Sequence, residues 1–145
     1  MKHIVNISGS VSLALHSLAY LARNSNRIIA TKNIAKSIGA SEAHLHKVMK
    51  LLVKADILLS VRGPKGGFRL RKPADDITLL EILEVIEGRV TLENCVMDMP
   101  GCNGNQCIFG DLLSDMNNYF MKYVRGTTLA QVSDVFPEET PVTGH

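Results

Sequence analysis

Aromatic residues are scarce in this sequence, which has no tryptophan and in which Phe and Tyr make up 5% of 145 residues. No apolar run approaches the length of about 18 residues that a transmembrane helix needs, so a membrane-spanning segment is excluded. The first six residues lack an apolar core followed by a small-residue cleavage site, so we expect no secretory signal. The hydrophobic share of 46% is typical of a globular domain.

Cysteine is absent from the whole chain except for one short segment, which holds Cys95, Cys102 and Cys107. An odd number of cysteines without a secretory signal is evidence against a framework of structural disulfides. We therefore expect a cytoplasmic protein with a metal or redox site in this segment.

Acidic residues are nearly absent from the first half of the chain. Residues 1–72 hold 13 Lys and Arg against 2 Asp and Glu, a net charge of +11. Residues 73–145 hold 3 against 12, a net charge of −9. The small overall charge of +2 is thus the sum of a strongly basic half and a strongly acidic half. The basic half is suited to binding a polyanion, and we expect the acidic half to have another task.

The basic half predicts three helices followed by a hairpin. Apolar periodicity indicates a helix over residues 11–24. Thr31 is positioned to cap a second helix that stops at Gly39, and Ser41 to cap a third. Two strands follow, with apolar residues expected on one face and arginines on the other. The apolar strand residues are Leu59, Val61, Phe68 and Leu70.

The acidic half predicts a helix after the capping-box pair Thr78 and Glu81, a loop over residues 89–106, and a long helix over residues 108–125. We divide the chain into a DNA-binding part (residues 1–73), a sensing and dimerising part (residues 74–134) and a disordered tail (residues 135–145).

Two short helices joined at Gly39 and followed by a basic hairpin predict a winged helix-turn-helix, in a mainly α fold with a small β-hairpin. A helix fits the major groove, and cations on the helix and the hairpin meet phosphates. Each lysine alone is more simply explained as part of a solvated helix face, but the net charge of +11 is not. The candidate DNA-binding residues are Thr31, Ser41, His44, His46, Lys47, Lys50, Arg62, Lys65 and Arg69.

Residues 60–70, with the sequence SVRGPKGGFRL, closely resemble the wing of the Rrf-type winged-helix transcriptional regulators. Residues 77–88, 107–113 and 127–130 are similar to later parts of the same family, and the resemblance covers residues 11–132. It implies a homodimer in which the long C-terminal helix packs against its partner. Such a dimer presents two recognition helices to a pseudo-palindromic operator on double-stranded DNA.

The resemblance also implies an iron–sulfur cluster on the three cysteines, as in the IscR- and NsrR-like sensors, with 2Fe–2S favoured over 4Fe–4S. The spacings between cysteines here are six and four residues, whereas the family commonly has five and five. The regulator is then expected to sense redox state, nitric oxide or iron–sulfur status.

The fourth cluster ligand stays open. The family's local histidine position is occupied here by Gly110. Other members take a ligand from the first helix of the partner, where the matching positions are Ser12 and His16, and imidazole binds iron more readily than a hydroxyl does. A surface role for His16 is equally compatible with the sequence. Weaker candidates are Glu93, Asp98 and Asp111.

Three other interpretations compete with a cluster. A cluster-free thiol–disulfide switch of the same fold is the first alternative. Zinc is less favoured because paired knuckle cysteines are absent, and inert cysteines are unexpected in a polar, glycine-rich loop.

The sequence shows no recognisable catalytic motif, so we expect no enzyme.

Overall fold

The computed structural model describes residues 6–93, 95, 97 and 99–137. Within these residues the fold is mainly helical with one small antiparallel hairpin, which confirms the predicted fold class. Short 3-10 turns cover Ala74–Asp76 and Ser133–Val135. The helices and strands are α1 (Gly9–Arg23), α2 (Thr31–Ile38), α3 (Glu42–Lys54), β1 (Leu58–Val61), β2 (Gly67–Leu70), α4 (Leu79–Glu87), α5 (Leu112–Gly126) and α6 (Leu129–Val132).

Two of the predicted helix caps are present and one is wrong. The Ser41 hydroxyl accepts a hydrogen bond from the backbone N–H of His44, and Thr78 accepts one from that of Glu81. Thr31, however, is the first residue inside α2, and the capping position is occupied by Ala30, which makes no side-chain cap. Helix α2 ends as predicted, because Gly39 takes the left-handed conformation at φ +68°.

This difference between two threonines predicts a difference in stability. Thr78→Ala removes a cap that is made, and we expect it to lower the free energy of unfolding by about 1 kcal/mol. Thr31→Ala removes no cap, and we expect a change below about 0.5 kcal/mol. Urea unfolding of both variants checks this. An equal loss in the two variants would contradict the assignment of the caps.

The register of the hairpin corrects the predicted faces of its strands. Leu58 pairs with Leu70, and Leu59 pairs with Arg69. Since paired residues of antiparallel strands point to the same side, Leu59 shares its face with Arg69 rather than with the buried Phe68. The inner face therefore carries Leu58, which the sequence pattern had not assigned to the hairpin. The prediction of one face for all four apolar residues was wrong.

The hairpin is attached to the body by a backbone bridge. The N–H of Ile29 donates to Phe68 O at 3.0 Å, and the N–H of Phe68 donates to Ile29 O at 2.8 Å. Gly67 lies directly against this bridge, since a Cβ placed on it would be 2.2 Å from Ile29 O. The segment before α2 thus pairs with the hairpin through its backbone, while Leu58 and Phe68 pack into the helical core.

One hydrophobic core serves both halves of the chain. Buried Leu18 on α1 and Leu52 on α3 belong to the same cluster as Val124 on α5 and Leu129 on α6. The C-terminal segment is also tied to the start of α4, because the N–H of Leu129 donates to Ile77 O at 2.7 Å. The change of charge near residue 73 therefore does not coincide with a division of the core.

Helix α5 begins later than predicted. The sequence pattern indicated a helix from residue 108, but α5 starts at Leu112, and Ile108 is 88% exposed. A turn precedes the helix, closed by the N–H of Gly110 on Cys107 O, with Gly110 at φ +54°. The glycine favours this left-handed turn, which ends any helical continuation toward the cysteines.

Two stripes of side chains run along the length of α5. The inner stripe consists of residues 113, 117, 120 and 124, of which Phe120 packs against the core and Val124 is buried in it. The outer stripe, spaced by four, three and four residues, consists of Leu112, Met116, Tyr119 and Tyr123, and all of its members are exposed. Such an apolar stripe on an exposed helix face is the pattern used in helix–helix packing.

Ordered structure reaches into the segment predicted as a disordered tail. Val135 completes a 3-10 turn, and the ring of Phe136 packs edge-to-face on Tyr20 with 5.9 Å between ring centroids. The remainder of the predicted tail, residues 138–145, lies outside the described residues. No helix in the described part of the chain combines the length and the apolar character needed to cross a membrane.

Candidate nucleic-acid interface and cysteine loop

Helix α3 is divided sharply into a buried and an exposed face. The buried face is apolar and consists of Leu45, Val48, Met49 and Leu52. The exposed face carries the four predicted DNA-binding side chains of this helix, which are His44, His46, Lys47 and Lys50. Because burial fixes one side of the helix against α1, the other side is held outward as a rigid polar surface.

The wing adds the other cations of this surface. Arg62, Lys65 and Arg69 are all exposed, and the loop between the strands is closed by the N–H of Gly66 on Gly63 O at 2.9 Å. None of the five predicted DNA-contacting cations has an ion-pair partner among the residues that the structure describes. Those cations are Lys47, Lys50, Arg62, Lys65 and Arg69. Their positive field is therefore not neutralised locally, which suits phosphate binding.

A groove of about 290 Å³ separates the wing from the start of α2 and α3. Its lining includes Thr31, Lys32, Glu42 and Gly67. Thr31 is half-buried there, whereas Ser41 is exposed at the N-terminus of α3, where its oxygen accepts the N–H of His44. Both hydroxyls thus lie at helix starts, a place that favours an anionic phosphate.

His44 has a contact that the sequence pattern did not predict. Its Nε2 lies 3.3 Å from the hydroxyl oxygen of Ser10, at the start of α1. A Cβ added to Gly9 would be 3.9 Å from the same ring. His44 thus connects α3 to the start of α1, while His46, two residues further on, has no polar partner among the described residues. Residues 10 and 44 are distant in sequence, and no local signal links them.

His16 is exposed on α1 and has one ring nitrogen engaged. Its Nδ1 lies 2.7 Å from the carbonyl oxygen of Ser12 and 3.4 Å from the Ser12 hydroxyl. A carbonyl only accepts, so Nδ1 carries the proton and donates, and in the neutral tautomer with this hydrogen bond Nε2 is the atom that holds the lone pair. This is the arrangement that metal-binding histidines commonly use. The ring also packs edge-to-face on Phe136, with 6.2 Å between centroids.

The cysteine loop runs between α4 and α5, and its start is tied to α5. The side-chain amide of Asn117 donates to Glu93 O at 3.0 Å. Cys95, Cys102 and Cys107 are all exposed and are not joined by disulfides. Turns form at Cys102, whose N–H donates to Met99 O at 2.9 Å, and after Cys107.

The structure does not gather the predicted metal ligands within one protomer. Among the described residues, no group of three or more His, Cys, Asp or Glu side chains is arranged to hold a metal ion. Ser12 is half-buried, and Glu93 and Asp111 are exposed. Asp98, the remaining acidic candidate, lies outside the described residues.

A protein-family model, Rrf2, described as an iron-dependent transcriptional regulator, matches residues 7–134 of the chain. The chain is 33% identical over 131 residues to a protein of Aquifex aeolicus (strain VF5) that is described as an HTH-type transcriptional regulator. This match covers 88% of the present chain and 91% of the relative. A second relative, protein aau3 of Rhizobium meliloti (strain 1021), is 28% identical over 92% of the chain and 88% of its own length.

Solved structures of similar fold include CymR, the global cysteine regulator of B. subtilis, with a TM-score of 0.76 and 23% identity over 92% of this chain and 100% of that one. IscR of T. potens has a TM-score of 0.71 and 22% identity over 97% and 95% of the two chains. The oxidized form of Staphylococcus aureus CymR has a TM-score of 0.71 and 25% identity over 92% and 99%.

Proposed function

This chain belongs to the Rrf2 family of transcriptional regulators, and from that premise we propose that it binds an operator under the control of an iron–sulfur cluster in its cysteine loop. The observation that carries the DNA-binding part is the cationic surface of α3 and the wing, whose five cations lack ion-pair partners among the described residues. The relatives reported above are likewise regulators rather than enzymes.

Helix α3 enters the major groove in this proposal, and the wing lies along the adjacent backbone. His46 and Lys50 are directed to base edges from the exposed face of α3. The phosphate contacts come from Thr31, Ser41, Lys47, Arg62, Lys65 and Arg69. His44 contributes mainly by holding the start of α3 on α1, because its Nε2 is already near Ser10.

The partner on the outer stripe of α5 is a second copy of the chain. The stripe of Leu112, Met116, Tyr119 and Tyr123 is apolar, exposed and spaced for a helix–helix seam. Packing of two such helices about a two-fold axis buries both stripes at once. The dimer then presents two copies of α3 to a pseudo-palindromic operator with half-sites about 34 Å apart, one turn of DNA.

The donor set of the loop fits an iron–sulfur cluster. Cys95, Cys102 and Cys107 are three exposed thiols outside the core, and thiolates are the usual protein ligands of such clusters. When bound, a cluster supplies a redox-active group whose state responds to oxidants and nitric oxide. A 2Fe–2S cluster is favoured, and the regulator would sense redox state, nitric oxide or iron–sulfur status.

We assign the fourth ligand to His16 of the partner subunit. Its Nδ1 donates to Ser12 O at 2.7 Å, which leaves Nε2 as the metal-binding atom. His16 lies on α1, and Ser10 of the same helix contacts His44 on α3. Coordination by His16 is therefore linked through α1 to the position of α3. Ser12, Glu93 and Asp111 are the remaining described alternatives.

A second candidate mechanism is a cluster-free thiol switch. It is favoured by the exposure of all three cysteines, which no disulfide joins, and by the similarity to the oxidized form of Staphylococcus aureus CymR. In such a switch two of the thiols form a reversible disulfide and the third stays free.

Anaerobic purification followed by selection from a random DNA duplex library tests the proposed function. We expect visible iron–sulfur absorption, and enrichment of a pseudo-palindrome whose affinity differs between the cluster-containing and cluster-free protein. The logarithm of the binding constant should fall with the logarithm of salt concentration by about 0.9 per phosphate contact. A colourless protein would eliminate the cluster, and the absence of any enriched sequence would eliminate operator binding.

The role of His16 gives a separate prediction. His16→Ala should change the visible spectrum of the cluster and shift its reduction potential, because one ligand is replaced, while the protein still binds iron through three thiolates. His46→Ala is the matched control, since that histidine lies on α3 and should alter DNA affinity without altering the spectrum. An unchanged spectrum and potential in His16→Ala would remove His16 from the ligand set.

A further inference from the structure

Two methionines of the cysteine loop have exposed side chains. Met97 is 43% exposed and Met99 is 64% exposed, whereas Met49 in the core is fully buried. Methionine normally fills apolar gaps in cores, so two exposed thioethers close together in sequence call for a reason other than packing. Neither the proposed cluster nor the proposed thiol switch uses them.

The thioethers are interleaved with thiols. Cys95, Met97 and Met99 alternate at every second position, and Cys102 follows three residues after Met99. The N–H of Cys102 donates to Met99 O at 2.9 Å, so a turn already brings the backbones of this thioether and thiol together. Four soft sulfur donors thus occur within eight residues that contain no lysine, arginine or histidine.

Sulfur type distinguishes between metals. Zinc is held by thiolates, imidazoles and carboxylates, and iron–sulfur clusters are held mainly by thiolates. A combination of thiolate and thioether ligands instead selects Cu(I), a soft ion with low coordination numbers. The exposed methionines therefore add a preference for Cu(I) that the three cysteines alone do not have.

We propose that the cysteine loop is also a Cu(I) site, formed by the thiolates of Cys95 and Cys102 and the thioethers of Met97 and Met99. Binding exchanges the protons of the two thiols for one Cu(I), and the protons pass to solvent without any change of oxidation state. The site needs no cluster. It shares two cysteines with the proposed cluster, so a loop that holds Cu(I) is closed to iron, and copper would act on this regulator by holding it in its cluster-free form.

The test uses the full-length, cluster-free, fully reduced protein, titrated anaerobically with Cu(I) against a chromophoric Cu(I) chelator. The variant Met97→Leu/Met99→Leu keeps the size and apolar character of both side chains and removes only the sulfur atoms. We expect its dissociation constant for Cu(I) to rise about tenfold or more, while binding of Zn²⁺ to the same protein stays unchanged. Met121→Leu, on α5 but outside its exposed stripe, is the matched control and should bind Cu(I) as the natural protein does.

Three outcomes would overturn the proposal. These are Cu(I) binding by the double variant as tight as that of the natural protein, an equal loss of Cu(I) and Zn²⁺ affinity in the double variant, and an equal loss of Cu(I) affinity in Met121→Leu. The cluster proposal is tested separately, because the double variant keeps all three cysteines and should show the same visible iron–sulfur spectrum. A natural protein that never shows that spectrum, but loses Cu(I) affinity in the double variant, would refute the cluster and support the copper site.

Discussion

A single added methyl group at Gly67 is expected to lower the affinity for operator DNA about a hundredfold. In Gly67→Ala the new Cβ would be 2.2 Å from Ile29 O and 2.7 Å from Ala30 N, far inside van der Waals contact. Gly67 also has φ +154°, which alanine rarely adopts. The bridge between Ile29 and Phe68 must open to admit the methyl group, and the wing then loses its backbone attachment to the segment before α2.

The size of this effect follows from the charges that the wing carries. Arg62, Lys65 and Arg69 depend on the hairpin for their positions, and a charge-assisted hydrogen bond contributes about 1.5–3 kcal/mol. Loss of two such contacts weakens the binding free energy by about 3 kcal/mol or more, which raises the dissociation constant about a hundredfold.

Fluorescence anisotropy with a labelled duplex from the selection experiment measures this loss. Pro64→Ala at the exposed tip of the same hairpin is the matched control and should bind DNA normally. Circular dichroism should show that Gly67→Ala keeps its helices, since the atoms nearest to the added Cβ belong to the backbone of Ile29 and Ala30, outside the helices. Unchanged DNA affinity in Gly67→Ala would show that the wing does not need its attachment.

The helix-turn-helix unit could be predicted because its signals are local. Gly39 marks the turn, Ser41 marks the start of α3, and the apolar spacing of α3 defines its buried face. Each of these signals acts within a few residues of its own position, and the structure agrees with all three. The basic face of α3 follows directly from the same periodicity.

The errors lie in the hairpin register and at the starts of α2 and α5. Leu58 is buried and places Leu59 on the face of Arg69, because the hairpin register is set by packing on the helices rather than by alternation within four residues. Thr31 follows an extended Ala30 and so enters α2 instead of capping it. At residue 108, apolar character suggested helix, but the turn at Gly110 separates the cysteines from α5.

Contacts across the fold could not be predicted from the sequence. The approach of His44 to Ser10 and the packing of Phe136 on His16 join residues that are far apart in the chain. Both contacts involve α1, which packs against α3 and also carries the proposed partner ligand. The sequence suggested the residues of the proposed cluster site and of the proposed DNA-binding surface, and the fold adds that α1, which carries His16, packs against α3.

Replacement of the three cysteines one at a time is expected to abolish the visible iron–sulfur absorption in every case. Cys95→Ser, Cys102→Ser and Cys107→Ser each remove one of three thiolates for which the chain has no substitute, since it contains no other cysteine. Asn105→Ser in the same exposed loop is the matched control and should keep the full spectrum.

The pattern across the three variants separates the two proposed mechanisms. A cluster needs every cysteine, so all three variants should lose the spectrum together with the difference in DNA affinity between the cluster-containing and cluster-free states. A disulfide needs only two cysteines, so one variant of the three should still switch reversibly between oxidised and reduced forms. Anaerobic absorbance, thiol titration and DNA binding on the same samples distinguish these patterns. One dispensable cysteine would therefore replace the cluster mechanism with the thiol switch, whereas three indispensable ones would eliminate the switch.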